Sequence, residues 1–106
     1  MVGWIYLVAA GLLEIGWPVG LKMAQEPGSR VSGVLVAIFF MTASGALLFL
    51  AQRSIPMGTA YAVWTGIGAA GTFFMGIMLY GDPTTAARLA GVGLIIAGVA
   101  TLKFAH

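Results

Sequence analysis

The residue of this sequence best suited to chemistry is Glu14, a carboxylic acid inside a long apolar run. It is the only acidic residue within any apolar run, about two-thirds of the way along the first one. An ionised carboxylate at that depth of a bilayer is energetically costly, so such residues usually serve a function. A carboxyl group that holds either a proton or a cation is the minimum that an exchanger requires. The alternatives are a side chain that reaches the membrane surface and a carboxyl group that is always protonated.

Other polar groups can serve the same site. Trp17, three residues after Glu14, offers an indole N–H to a carboxylate or a ring face to a cation. The alternative for this tryptophan is a bulky side chain that faces lipid. Pro18 has no N–H, so the backbone carbonyl of Glu14 loses its usual helical donor and remains an acceptor. In the second run Ser44 and Thr42 lie at depth, where a hydroxyl more often bonds the backbone than a ligand.

The third apolar run carries two aromatic residues with polar atoms, one helical turn apart. Tyr61 and Trp64 share a stripe with Gly68, whereas an ordinary packing seam more often uses aliphatic residues. Gly66 and Gly68 weaken the helix and predict a bend. The same stretch, up to Gly71, spells G-x-G-x-x-G, but no strand precedes it and no βαβ unit surrounds it. We therefore reject a nucleotide site there.

Small residues recur at helical spacing in two of the runs. Gly16 and Gly20 form a G-x-x-x-G pair in the first run, and Ala87, Gly91 and Gly98 fall on one stripe of the fourth. Small residues allow helices to approach closely in lipid, where no hydrophobic effect drives association. Packing within the chain and an oligomer interface are both consistent with this pattern. Four short helices enclose little space alone, which favours the oligomer.

Four apolar runs must position these residues, and each is long enough to cross a bilayer. They cover about residues 2–21, 31–51, 57–80 and 86–102 and are separated by short polar turns. About 20 helical residues at 1.5 Å each span the hydrocarbon core. A membrane β-barrel would need alternation in ten-residue segments, which is absent. We predict an all-α membrane protein, residues 1–106 forming a single domain of four transmembrane helices.

The composition excludes most other classes of protein. Apolar residues make up 60% of the chain and charged residues 8%, and the mean hydropathy is +1.03. So few charged residues could not cover the surface of a water-soluble globular protein of this size. There is no cysteine, and the single histidine is the last residue, His106, which argues against a metal site, a cofactor and enzymatic catalysis. The five basic residues are scattered rather than clustered, so no nucleic-acid partner is expected.

The positive charges give almost no bias to the orientation in the membrane. With four spans, Arg53 and Lys103 lie on one side, and Lys22, Arg30 and Arg88 on the other. Two against three hardly selects a direction under the positive-inside rule. The chain either inserts both ways round or relies on a weak but adequate bias.

Three features together resemble the small multidrug resistance exporters over essentially the whole chain. They are Glu14 in the first run, the stretch Pro56-Met-Gly-Thr-Ala-Tyr-Ala-Val-Trp-Thr-Gly-Ile-Gly68 in the third, and the pair Gly91 and Gly98 in the fourth. Within that family, three shorter segments look like the guanidinium-exporter subtype: Glu14-Ile-Gly-Trp17, Gly20-Leu-Lys22 and Leu102-Lys103. Polyspecific drug exporters of the family usually lack a tryptophan three residues after the glutamate.

The resemblance implies proton-coupled export of guanidinium and small substituted guanidines across the bacterial plasma (inner) membrane. It also implies an antiparallel, dual-topology homodimer in which both copies of Glu14 bind substrate or protons in turn. The positions that match the family are Trp17, Ser44, Tyr61 and Trp64 for lining the site, Gly66 and Gly68 for the helix bend, and Gly91 and Gly98 for the dimer seam.

One departure from the subtype is Pro18, which stands where a small residue such as alanine is common. It affects the expected substrate range more than the fold. One competing hypothesis is a polyspecific exporter of quaternary ammonium compounds, a function that the same scaffold could perform. The other is an accessory membrane subunit without transport of its own, in which Glu14 is an assembly contact.

Overall fold

The computed structural model describes residues 2–105, and the prediction made for His106 falls outside them. Its helices are α1 (Val2–Glu14), α2 (Gly16–Ala24), α3 (Arg30–Ala51), α4 (Met57–Tyr80) and α5 (Ala86–Phe104). Because α1 and α2 follow one another almost without a break, the described residues contain four helical spans that are long and apolar enough to cross a membrane. The prediction of an all-α protein with four such spans is confirmed. The first span continues to Ala24 and the last to Phe104, slightly beyond the apolar runs.

The first span is interrupted at Ile15, between α1 and α2. Proline at position 18 cannot donate to the carbonyl of Glu14, and its ring crowds that carbonyl. The N–H of Ile15 donates to the carbonyl of Leu12 at 3.3 Å, a tighter turn than that of the α-helix. Glu14 is therefore the last residue of α1 and sits at the irregularity that Pro18 creates.

The first span is the centre of the chain's packing. It contacts α3 along its length and α4 mainly along α1. The backbone of α5 lies close to α4 alone among the helices of residues 2–105, while the ammonium group of Lys103 in α5 lies 5.0 Å from the ring centroid of Trp4 in α1. The molecule measures 47 × 34 × 16 Å, which is close to one layer of helices side by side. A single layer leaves both broad faces open, so little of each span is buried within the chain.

The largest apolar cluster lies at the end of the molecule where α3 turns into α4. Its buried members are Leu7, Ala51, Ile55, Ala60 and Val63. The opposite end of the bundle has no comparable cluster among the described residues. Buried apolar side chains are thus concentrated at one end of the spans.

Glycine brings α2 and α3 into close contact. A Cβ on Gly20 would lie 2.8 Å from the carbonyl oxygen of Gly33 and 2.9 Å from Cα of Ala37, so neither helix can carry a larger residue there. A Cβ on Gly16 would overlap the ring of Phe40. Both glycines of the first-run G-x-x-x-G pair therefore pack within the chain rather than on an open face.

Candidate functional site

The Glu14 side chain lies against Gly68 of α4. A Cβ added to Gly68 would overlap Cγ of Glu14 and would lie 3.1 Å from its Cβ, so only glycine leaves room for the carboxylic acid here. From the sequence we predicted that Gly68 permits a bend, and this packing role was not anticipated. Neither segment's sequence indicates that α1 and α4 are neighbours. The bend itself stays a prediction, since α4 runs without interruption from Met57 to Tyr80.

One carboxyl oxygen of Glu14 and the indole nitrogen of Trp17 are buried without hydrogen-bond partners among the described residues. The Trp17 indole lies within reach of the Glu14 carboxyl group. Even so, Oε1 of Glu14 and Nε1 of Trp17 have no hydrogen-bond partner in the part of the chain that the structure describes. Buried polar atoms are nearly always paired in folded proteins, and exceptions need an explanation. A ligand that donates to the carboxylate supplies one.

Ser44 joins three helices. Its side chain is fully buried, and its hydroxyl donates to the carbonyl of Ala10 in α1 at 2.7 Å. The same hydroxyl accepts a hydrogen bond from Nε1 of Trp64 in α4 at 2.8 Å. Ser44 therefore bonds the backbone, as a deep hydroxyl commonly does, and also fixes the orientation of the Trp64 indole.

Tyr61 lies beside Trp64 on α4. The two ring centroids are 5.4 Å apart and the planes are inclined at 54°. The Tyr61 side chain is 56% exposed in the single chain, so its ring borders an open face of the layer. An indole held by Ser44 and an adjacent open phenol ring offer two aromatic surfaces to a cation.

The two groups of predicted residues lie one helical turn apart. Ala10, which receives the Ser44 hydrogen bond, is one turn before Glu14 on α1, and Trp64 is one turn before Gly68 on α4. One turn corresponds to a rise of about 5.4 Å. The structure thus brings Glu14 and Trp17 close to the Ser44, Trp64 and Tyr61 group within one chain.

The remaining glycines have separate surroundings. A Cβ on Gly66 would lie 3.5 Å from Cγ2 of Ile95 and would overlap Val99, so this residue lets α5 approach α4. Gly91 and Gly98 lie on the exposed side of α5, where an added Cβ would meet no atom within 4 Å. Their role in a dimer seam stays a prediction.

Thr72 was not anticipated from the sequence. It lies one turn beyond Gly68 on α4, and its Oγ1 is buried without a partner among the described residues. The signal was available in its spacing of four residues from Gly68, but only the pairing of α4 with the first span gives that spacing a meaning. No group of three or more residues that could hold a metal ion occurs within residues 2–105.

Comparison with known proteins places the chain in a family. The sequence profile described as Small Multidrug Resistance protein matches residues 2–95. A guanidinium exporter of Yersinia pseudotuberculosis is 49% identical over 104 residues, 98% of this chain and 99% of that protein. Guanidinium exporters of Salmonella typhimurium and Klebsiella oxytoca are 48% and 47% identical over 102 residues, 96% of this chain and of each relative. The chain belongs to the Small Multidrug Resistance family.

Proposed function

We propose that this protein exports guanidinium and small substituted guanidines in exchange for protons. The observation that supports this proposal most directly is the carboxyl group of Glu14 inside a membrane span. Its Oε1 atom is buried without a hydrogen-bond partner among the described residues, and the Trp17 indole lies beside it. The names of the similar proteins support guanidinium as the substrate.

The chemistry of guanidinium suits these residues. The cation is planar and rich in N–H donors, and a carboxylate can accept two parallel hydrogen bonds from it. Trp64, held by Ser44, and the adjacent Tyr61 present ring faces to a cation of this shape. A proton and guanidinium compete for the Glu14 carboxylate, so loading one releases the other. That competition couples export to proton entry.

The working unit that we propose is an antiparallel homodimer of dual topology in the bacterial plasma membrane. The chain alone is a layer 16 Å thick with an open α5 face, which supports a partner. The two-against-three distribution of basic residues supports insertion in both directions. A second copy would bring a second Glu14 to the site.

Transport by the purified protein in liposomes tests this function. We expect an outward guanidinium gradient to drive proton uptake into the vesicles, measured with a trapped pH-sensitive dye. The Glu14→Gln variant, which keeps the size of the side chain without its charge, should be inactive. Tetraethylammonium and bulky aromatic ammonium compounds should move poorly, and faster proton uptake with them than with guanidinium would favour the polyspecific hypothesis. Wild-type protein that moves none of these cations would favour an accessory subunit.

A further inference from the structure

A polar cavity of about 180 Å³ lies between α2 and α4, on the far side of Glu14 from the Ser44 group. Pro18 and Thr72 line it, each one turn beyond the contact between Glu14 and Gly68. Lys22, Tyr80 and Asp82 line it where the two helices reach the end of the bundle. The cavity therefore extends from the neighbourhood of Glu14 toward the membrane surface.

The inner part of this cavity is bounded by Thr72, a residue with an unsatisfied hydroxyl. Thr72 Oγ1 is buried and has no hydrogen-bond partner among residues 2–105. A hydroxyl can accept from a donor-rich cation or from water. The cavity volume is sufficient for several water molecules, which also need polar partners. The hydroxyl itself is shielded from the cavity, so Thr72 bounds its inner end, and the polar groups that can bind a cation lie at its outer end.

The outer part of the cavity carries a carboxylate at the C-terminus of α4. Gly81 adopts a left-handed conformation with φ of 66°, and the N–H of Asp82 donates to the carbonyl of Gly76 at 3.2 Å. This turn folds Asp82 back so that a Cβ on Gly76 would overlap its Oδ2. The last carbonyl groups of a helix carry partial negative charge, so an acid here is unfavourable unless a cation is nearby.

A cation of the chain itself lies at the same place. The Nζ atom of Lys22 is 5.6 Å from the centroid of the Tyr80 ring, and both residues line the cavity with Asp82. The ammonium group is exposed and flexible, so it can leave this position at little cost. It is therefore a tethered cation in a site whose ring, carboxylate and helix terminus all favour positive charge.

We propose that this end of the cavity is a second, outer cation site, which captures guanidinium-class cations and passes them to Glu14. Asp82 and Tyr80 bind the cation, and Lys22 competes for the site until the cation displaces it. The inference rests on the proposed function for its role in transport, but the binding itself does not require transport.

Binding at the outer site is tested in the Glu14→Gln protein, which lacks the inner carboxylate. Guanidinium chloride is titrated into the isotope-labelled protein in micelles, with sodium chloride at equal concentration as the control. We expect the amide resonances of Tyr80, Gly81 and Asp82 to shift with guanidinium only, and the shifts to be lost in the Glu14→Gln, Asp82→Asn double variant. Resonances that respond equally to both salts would overturn the outer site.

The role in transport is tested with charge-matched variants in liposomes. Asp82→Asn should raise the KM for guanidinium about two- to fivefold, because an exposed carboxylate contributes modestly, while Lys22→Gln should lower it by a similar factor. Glu26→Gln is the control, since Glu26 is an exposed acid at the same end of the bundle but outside the cavity. Its KM should equal that of the wild type.

The outcomes separate the two proposals. Equal shifts of KM in Glu26→Gln and Asp82→Asn would mean that general surface charge acts, which overturns the outer site. If the wild-type protein exports guanidinium and both cavity variants have the same KM as the wild type, the outer site is contradicted but the proposed function is not. Wild-type protein that exports nothing contradicts the proposed function, whereas the resonance shifts at Tyr80–Asp82 would still establish the site.

Discussion

At the scale of single residues, one hydroxyl and one missing side chain organise the site. Ser44 bonds Ala10 and Trp64 at once and so connects α1, α3 and α4. Gly68 has no side chain, and the side chain of Glu14 fills the space that a larger residue at this position would need. Neither contact was predictable from the sequence, since each depends on which spans are neighbours.

The Ser44 connection predicts a cost for its removal. In Ser44→Ala the partly buried Trp64 indole N–H loses its acceptor, and an unsatisfied donor that is fully buried costs about 1–3 kcal/mol. We expect guanidinium affinity to fall several-fold as the indole reorients, measured by tryptophan fluorescence. Ser32→Ala is the matched control on the same helix, because Ser32 is exposed and bonds only the carbonyl of Ser29. Equal affinities of the two variants would refute the positioning role of Ser44.

The Gly68 contact predicts a strong position dependence along α4. Gly68→Ala places a methyl group in the space of the Glu14 side chain, so we expect guanidinium transport to fall by at least about tenfold. Gly58→Ala on the same helix meets no atom within 4 Å and should transport normally. Transport rates in liposomes check both variants, and size-exclusion chromatography checks that each is folded. A fully active Gly68→Ala protein would contradict the packing.

At the scale of helices, the sequence predicted where the spans are better than how they pack. Run lengths near 20 residues indicate spanning helices directly, and Pro18 explains the break at Ile15. Packing could not be predicted, because spans that are apolar all round have no hydrophobic face that selects neighbours. The α2–α3 contact is an example: Gly20 was visible as a small residue, but its partner Gly33 was not identified.

The α2–α3 contact predicts which glycine of α3 is structural. A Cβ on Gly33 would lie 2.7 Å from Cα of Ala24, so in Gly33→Val the two backbones must separate. We expect the thermal unfolding temperature in detergent to drop clearly, in line with a cost of about 1–3 kcal/mol or more for overpacking. In Gly45→Val the added atoms meet open space, and the unfolding temperature should change little. A larger drop of the unfolding temperature in Gly45→Val than in Gly33→Val would show that the close α2–α3 contact is wrong.

At the scale of the whole molecule, the thin shape and the nearly balanced charges agree with the homodimer that we propose. The chain is a thin layer whose fourth span exposes Gly91 and Gly98, and its basic residues barely distinguish the two sides. Both properties are accounted for if two oppositely inserted copies pair. The weak charge bias could be counted in the sequence, whereas the thin layer could be seen only in the structure.

Dual topology predicts labelling from both sides of the membrane. A single cysteine placed at one terminus should react with a membrane-impermeant reagent in intact cells and, in a second fraction, only after the membrane is opened. Two or three lysines added to the loops of one side should bias insertion and lower transport in cells that express that variant alone. Labelling from one side only would rule out a dual-topology dimer.

We propose that protons and guanidinium compete for the Glu14 carboxylate, so guanidinium binding should depend on pH. Guanidinium binds the ionised form, so its affinity should fall as the pH is lowered. Where the carboxylates are mainly protonated, affinity should drop up to about tenfold per pH unit for each proton displaced. Tryptophan fluorescence reports binding, because Trp17 and Trp64 lie beside the site. We expect this decline in the wild type and no measurable binding at the inner site in Glu14→Gln. Wild-type affinity that stays constant from mildly acidic to alkaline pH would rule out this competition.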